Sequence, residues 1–375
     1  MGPPRSPAGH SGAGKLALAE GRGGLEPGAS NFDAARVFAV VIVVYGNGLV
    51  LTGAPGSGYW GAPLPRIGLD LLFAISGYLA VQSCERTPSV VSYLAKRALR
   101  LFPGLIVCVL TTVFVIGPLA TRLPLRAYFL DGMTRRYLAN IVLVQQLWLP
   151  RVFEGQQWVG TVNPMLWTLV PGILCWLSVP VLGRLPTRPR AACAGACALL
   201  CAAFALAYPA VGPSLPASLF RVSIADMLTE MPFFLGGAWL ALLEAQAGER
   251  FWRADLAMLA FAANWVVATW IGQWDIVLEW ATLPYMVCCF GRMRMPVLGG
   301  LGTLGNPSYG LFLYAFPIQQ LIVERLPGNP HPILTCLAAA LIAGVLSWHL
   351  VERPALRWGS ALLQGVRRRS LRAAS

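Results

Sequence analysis

The apolar residues of this chain fall in long blocks separated by short polar or basic loops. The blocks run to about 17–25 residues, the length at which an α-helix crosses the hydrocarbon of a bilayer. On that criterion the pattern predicts about ten spans. They centre on Phe38–Leu51, Ile67–Val81, Leu101–Leu119, Met165–Leu182, Ala191–Tyr208, Met227–Leu243, Leu256–Ile271, Ile276–Phe290, Tyr309–Val323 and Ile333–Val351. Alternation of the kind that builds outer-membrane barrels is absent. The expected fold class is all-α, a polytopic transmembrane helical bundle. Asn140–Pro150 is apolar but short, so it is expected to lie at the interface or to fold back into the protein.

Composition agrees with that pattern. The 375 residues are 56% hydrophobic and only 12% charged, about half the charged share of a soluble domain. The basic residues set an orientation. If the amino terminus is cytoplasmic, the inside loops hold Arg86, Lys96, Arg97 and Arg100, then Arg184, Arg188 and Arg190, then Arg250 and Arg253, then Arg292 and Arg294. The outside loops are poor in cations except between Arg122 and Arg136. The positive-inside rule then places both termini in the cytoplasm. The net charge of +13 is spread over many short loops, which argues against a nucleic-acid partner. Met1–Ser30 is rich in Gly, Pro, Ala and Ser and reads as a disordered cytoplasmic tail without the apolar core of a signal peptide. Residues 31–358 form one membrane domain. Residues 359–375 form a basic cytoplasmic tail expected to lie along the anionic inner leaflet. Cys193, Cys197 and Cys201 repeat every four residues on one helix face; with no His or carboxylate beside them, helix packing explains them better than a metal site.

Polar groups inside spans are costly, so each is a candidate for function. Arg36 opens the first span, and Asn47 follows eleven residues later between two glycines. That spacing is about three helical turns, roughly 16 Å along one face. The pair reads either as a cation at the mouth of a site with a polar group deeper in, or as a snorkelling arginine and an asparagine bonding a neighbouring helix. Asp70 enters the second span and needs a partner, and Ser76–Gly77 allows a neighbouring helix to approach closely. Glu230 and Glu279 also fall within spans. Pro317 is expected to kink its helix and free carbonyls. Arg97 and Arg100 share one helix face at i and i+3, where guanidinium forks suit either lipid head groups or the phosphates of a cofactor. None of His10, His331 and His349 sits where a buried general base is expected.

Several of these segments, taken in order, resemble the acyltransferase 3 family of bacterial membrane O-acyltransferases. Asp33–Arg36 resembles the family's opening Asp-x-x-Arg, and Leu69–Leu79 its Asp-x-Phe-Phe-x-x-Ser-Gly segment. Arg97, Arg100 and Pro103 match its basic run, Leu166–Leu169 its Leu-Trp-Thr-Leu, Ser308–Pro317 its Ser-Tyr-Gly segment, and Trp348–Pro354 its closing Trp-x-x-x-Glu-Arg-Pro. The similarity runs from Asn31 to Trp358. It implies transfer of an acyl group, usually acetyl from acetyl-CoA, to a hydroxyl of a polysaccharide, lipopolysaccharide or glycolipid acceptor. It implies placement in the bacterial inner membrane beside polysaccharide-synthesis machinery, and no metal. Arg36, Arg97 and Arg100 would then hold the phosphates of CoA.

The chain departs from that family at two places. Members carry a histidine, the expected general base, where this chain has Asn47. The glutamate expected after Leu-Trp-Thr-Leu meets Val170, Pro171 or Gly172 in a gapless match. An amide does not take up a proton at neutral pH. Three explanations follow: Asn47 acts as a donor to a developing oxyanion; another group, such as Asp70, supplies the base; or the protein is a non-catalytic member that binds donor or glycan, or supports a partner. A lipid or glycan transporter is the reading from a different class.

Overall fold

A computed structural model describes residues 31–54, 58–59, 62–87, 89–211, 217–270, 275–293, 295 and 306–359. The tails expected at 1–30 and 359–375 lie outside the described residues, apart from Gly359. The described chain is a helical bundle with two short two-stranded hairpins, Gly58–Tyr59 with Ala62–Pro63 and Ser218–Leu219 with Val222–Ser223. The helices are α1 (Phe32–Leu51), α2 (Leu64–Glu85), α3 (Val90–Thr111), the short α4 (Leu125–Leu130) and α5 (Gly132–Tyr137), α6 (Leu169–Leu182), α7 (Thr187–Val211), α8 (Ile224–Ala247), α9 (Ala254–Trp270), α10 (Asp275–Arg292), α11 (Ser308–Arg325) and α12 (Pro332–Ser347). α3 runs on through a π turn to Ala120, and α12 through another toward Gly359. A 3-10 turn, Pro164–Thr168, leads into α6.

Among the described residues, each of the predicted apolar segments falls on one of these helices or on the turn that leads into or extends it. By length and composition, six among the described residues are able to cross a membrane: α1, α2, α3 with its extension, α6 with its leading turn, α7, and α12 with its extension. The predicted count of about ten spans also takes in α8 to α11. Of these, α9 has 17 residues. The others bury polar groups, among them Glu230, Glu279, Gln319 and Gln320, which make them less apolar.

The packing follows from where the sequence puts small residues. α2 runs beside α1, α8 and α10. A Cβ on Gly77 would overlap the Phe234 carbonyl, and a Cβ on Gly237 would overlap the Ala74 carbonyl. α2 and α8 therefore meet backbone to backbone, the role expected of Ser76–Gly77. Tyr78 fills the space beside this crossing. It is fully buried, stacks on Phe32 and donates its hydroxyl to Glu244, which also pairs with Arg292 at 2.7 Å. Asn31 donates its backbone N–H to the Gly291 carbonyl at 3.0 Å, fixing the start of α1 against α10. On α7, Ala191 and Ala194 are buried and Cys201 packs on the core, while Cys197 is exposed.

Pro317 removes the N–H that would bond the Leu313 carbonyl one turn earlier. Two side chains take its place: Asn163 Nδ2 donates at 2.9 Å and Cys108 Sγ at 3.4 Å. The stretch around Asn140–Pro150 folds back as non-helical chain after a 3-10 turn, Leu138–Val142. Buried Asn140 organises it, donating to the Tyr137 and Gln146 carbonyls and accepting from the Gln146 N–H.

Candidate functional site

Six chain segments converge on a cavity of about 160 Å³, one of them α8 through Phe234 alone. The other five each contribute residues at helical spacing. α1 gives Arg36 and Val40, α2 gives Leu69, Leu72, Phe73 and Ser76, and α3 gives Arg97, Arg100 and Leu101. The turn into α6 and α6 itself give Thr168, Leu169, Gly172 and Trp176, and α11 gives Ser308, Tyr309 and Phe312. The three arginines are thus brought to one cavity whose remaining wall is largely apolar.

Their surroundings differ. The Arg97 guanidinium lies between the Tyr93 ring, at 5.3 Å, and the Trp176 ring, at 5.4 Å, and donates to the Leu79 carbonyl at 3.3 Å. Two aromatic faces hold a cation in place and leave its edge free to donate. Arg36 Nη1 sits 3.5 Å from Asp33 Oδ1, which also accepts from Asn306 Nδ2 at 2.7 Å. Asn306 in turn accepts from the Ser308 hydroxyl. Asp33 and Asn306 thereby link the start of α1 to the start of α11. Arg100 makes no hydrogen bond or ion pair among the described residues. The Tyr309 hydroxyl donates to the Leu101 carbonyl at 2.8 Å, tying α11 to the helix that carries Arg97 and Arg100.

Asn47 and Asp70 lie off this cavity. Asn47 is buried, with its Nδ2 3.7 Å from Met165 Sδ. Its neighbours hold α1 close to other segments: a Cβ on Gly46 would run into Leu64 and Pro65, and one on Gly48 would crowd Gln319. Asp70 belongs to a different constellation. Arg66 Nε lies 3.9 Å from Asp70 Oδ2, and its Nη2 lies 3.4 Å from Glu279 Oε2. Glu230, also buried, interacts with both carboxylates. Among the described residues no cluster of His, Cys, Asp and Glu is arranged to hold a metal ion.

Of the three positions that meet the expected glutamate, Val170 and Pro171 are buried, whereas Gly172 lines the cavity. A Cβ at Gly172 would meet nothing within 4 Å. The sequence alone does not single out Thr168, Gly172 and Trp176 as one wall, although their i, i+4, i+8 spacing places them on one helical face. Ser76, Ser308 and Tyr309 are likewise found only once the helices are packed.

The acyltransferase domain family matches residues 30–351. An O-acetyl transferase of Shigella phage Sf6 is 25% identical over 340 residues, covering 86% of this chain and 94% of that protein. Nodulation protein 10 of Rhizobium leguminosarum bv. viciae is 26% identical over 379 residues, covering 89% and 95%. No solved structure matches the chain. The family match over most of the chain makes this protein a member of the acyltransferase 3 family.

Proposed function

We propose that this protein is an integral-membrane O-acyltransferase of the bacterial inner membrane. It transfers an acyl group, acetyl in the first instance, from acetyl-CoA to a hydroxyl of a cell-surface carbohydrate such as an exopolysaccharide precursor. The observation that carries the proposal is the convergence of Arg36, Arg97 and Arg100 on one largely apolar cavity. Guanidinium forks bind phosphate in bidentate fashion, and the apolar wall behind them suits the thioester arm that the phosphates precede. The basic loops support a bundle of about ten spans with both termini cytoplasmic, which puts this cavity on the side where CoA is made.

The chain's own residues then divide the work. Arg97, clamped between two rings, and Arg36, tied to Asp33, fix the position of the nucleotide. Position 47 lies roughly 16 Å further along α1. Asn47 does not take a proton from the acceptor hydroxyl; it donates an N–H to the oxyanion that forms as the hydroxyl oxygen bonds to the thioester carbonyl carbon, and collapse of that adduct breaks the C–S bond, the hydroxyl proton leaving with the CoA sulfur as its thiol. Asp70 does not line the arginine cavity and is engaged with Arg66, so the reading gives it no part in the chemistry.

Asn47 and Gly172 together favour a second reading, a non-catalytic member that retains donor binding. Two measurements decide between the readings. The first is saturable CoA binding by the purified protein. The second is the ester content of the surface glycan with and without the gene. Binding with a gene-dependent ester supports the enzyme, and binding with no change in ester supports the non-catalytic member. Absence of both removes the proposal.

A further inference from the structure

A second cavity, of about 630 Å³, lies at the other end of the same two helices. It is bounded by the last residues of α1, the end of α11 and the loop at 155–157. Thr52 is 16 residues beyond Arg36, about 24 Å of helix, and Val323 is 15 residues beyond Ser308, about 22 Å. The two cavities therefore open at opposite ends of α1 and α11. Asn47 lies between them, five residues or roughly 8 Å short of Thr52.

The chemistry of the two ends differs. The first cavity is basic. The second has no charged side chain in its lining among the described residues; its polar groups are Thr52, Gln156, Gln157 and Asn329. The side chains of Gln156 and Gln157 make no hydrogen bond among the described residues, so two amides, each able to donate and accept, are free for a ligand. The loop that carries them is held in place: Gln320 Nε2 donates to the Thr161 carbonyl at 2.9 Å, and the Gly160 N–H to the Phe153 carbonyl at 3.1 Å. Gly53, at φ +66°, ends α1 without a side chain beside the Gln157 amide.

We infer that this far cavity is the entry site for the acceptor and that it takes a neutral, hydroxyl-rich saccharide. Hydroxyls both donate and accept, as amides do, and a lining without charge gives a phosphate or carboxylate no counter-charge. The inference rests on the acyltransferase reading and adds to it where and by what chemistry the sugar is held.

The test uses the purified full chain with acetyl-CoA and surface glycan from a strain lacking the gene, stripped of its esters. The glycan is supplied once as polymer and once as its lipid-linked fraction, so that the two sources of the same sugar are told apart. Gln157→Leu and Thr52→Trp should each raise KM for the glycan about tenfold, the loss of a hydrogen bond or two, with CoA affinity unchanged. Unchanged KM in both variants, or an equal loss of CoA affinity, overturns the inference and leaves the acyltransferase reading standing. Absence of acetyl transfer by the unaltered protein overturns both.

Discussion

Asn163 donates from Nδ2 to the Leu313 carbonyl oxygen at 2.9 Å, across 150 residues of chain. The bond exists because Pro317 has no N–H to offer that carbonyl. Asn163→Ala leaves a buried acceptor with only the Cys108 thiol, and is expected to destabilise the protein by about 1–3 kcal/mol. Pro317→Ala returns an N–H to the carbonyl, so the same Asn163→Ala change should cost less in that background. Thermal unfolding of the four proteins in detergent gives the coupling; equal losses in both backgrounds would show that the asparagine does not substitute for the missing N–H.

The helices were legible because a bilayer demands a length and an apolarity that few other constraints imitate. Ser76–Gly77 and Pro317 were legible for a related reason: a residue without a side chain, or without an N–H, has few uses in a buried helix. Arg36, Arg97 and Arg100 could be picked out one by one as cations at the edges of apolar blocks. Their meeting in one cavity depends on which faces of α1 and α3 turn together, and that is decided by contacts such as Tyr309 to Leu101, which join residues 208 apart. Asp70 shows the reverse. A buried carboxylate reads as functional from sequence, but its partners, Arg66 one turn away and Glu279 on α10, emerge only from the packing.

The α2–α8 crossing leaves no room for a methyl group. Gly77→Ala places its Cβ against the Phe234 carbonyl, which is backbone and yields only if the helices part. The expected result is a loss of folded protein by at least the ~1–3 kcal/mol of an overpacked core, read as a lower unfolding temperature. Gly172→Ala, facing open space in the cavity, should leave that temperature within about 1 °C, consistent with the small effect of a change that touches nothing.

Arg97 is placed by its aromatic neighbours, so charge alone is not expected to replace it. Arg97→Lys keeps the cation but loses the planar fork and its fit between Tyr93 and Trp176. CoA affinity measured by calorimetry should fall about tenfold in Arg97→Lys and further in Arg97→Ala, with Trp176→Leu falling in the same direction through misplacement of the guanidinium. Equal affinity in all of them would leave Arg97 as an anchor for lipid head groups.

Arg66 sits among three buried carboxylates, Asp70, Glu230 and Glu279. Arg66→Met removes a cation from this group and is expected to lower stability strongly, toward the several kcal/mol seen when one partner of a buried pair is lost, lessened because the Arg66 side chain is 30% exposed. CoA affinity should be unaffected, because none of the four lines the arginine cavity. Asp70→Asn should leave acyl transfer within about tenfold of the unaltered protein. A loss approaching the 10²–10⁴-fold typical of a missing general base would identify Asp70 as that base and displace the assignment to structure.

Asn47 and Gly172 carry the sharpest chemical consequence. Asn47→His puts an imidazole, able to accept a proton near neutral pH, where the chain now has an amide beside Met165. If the site is otherwise intact, acyl transfer should rise, by up to the ~10²–10⁴-fold that a positioned base supplies. Gly172→Glu adds a carboxylate to the cavity wall at a position whose Cβ would meet nothing within 4 Å; combined with Asn47→His it should raise transfer beyond either change alone. Rates are compared at saturating acetyl-CoA over a pH series, since a histidine base adds a rising limb near its own titration that the asparagine protein lacks. A fall in activity on Asn47→His would mean that the amide makes a contact of its own in the transition state, one that an imidazole in the same place does not reproduce.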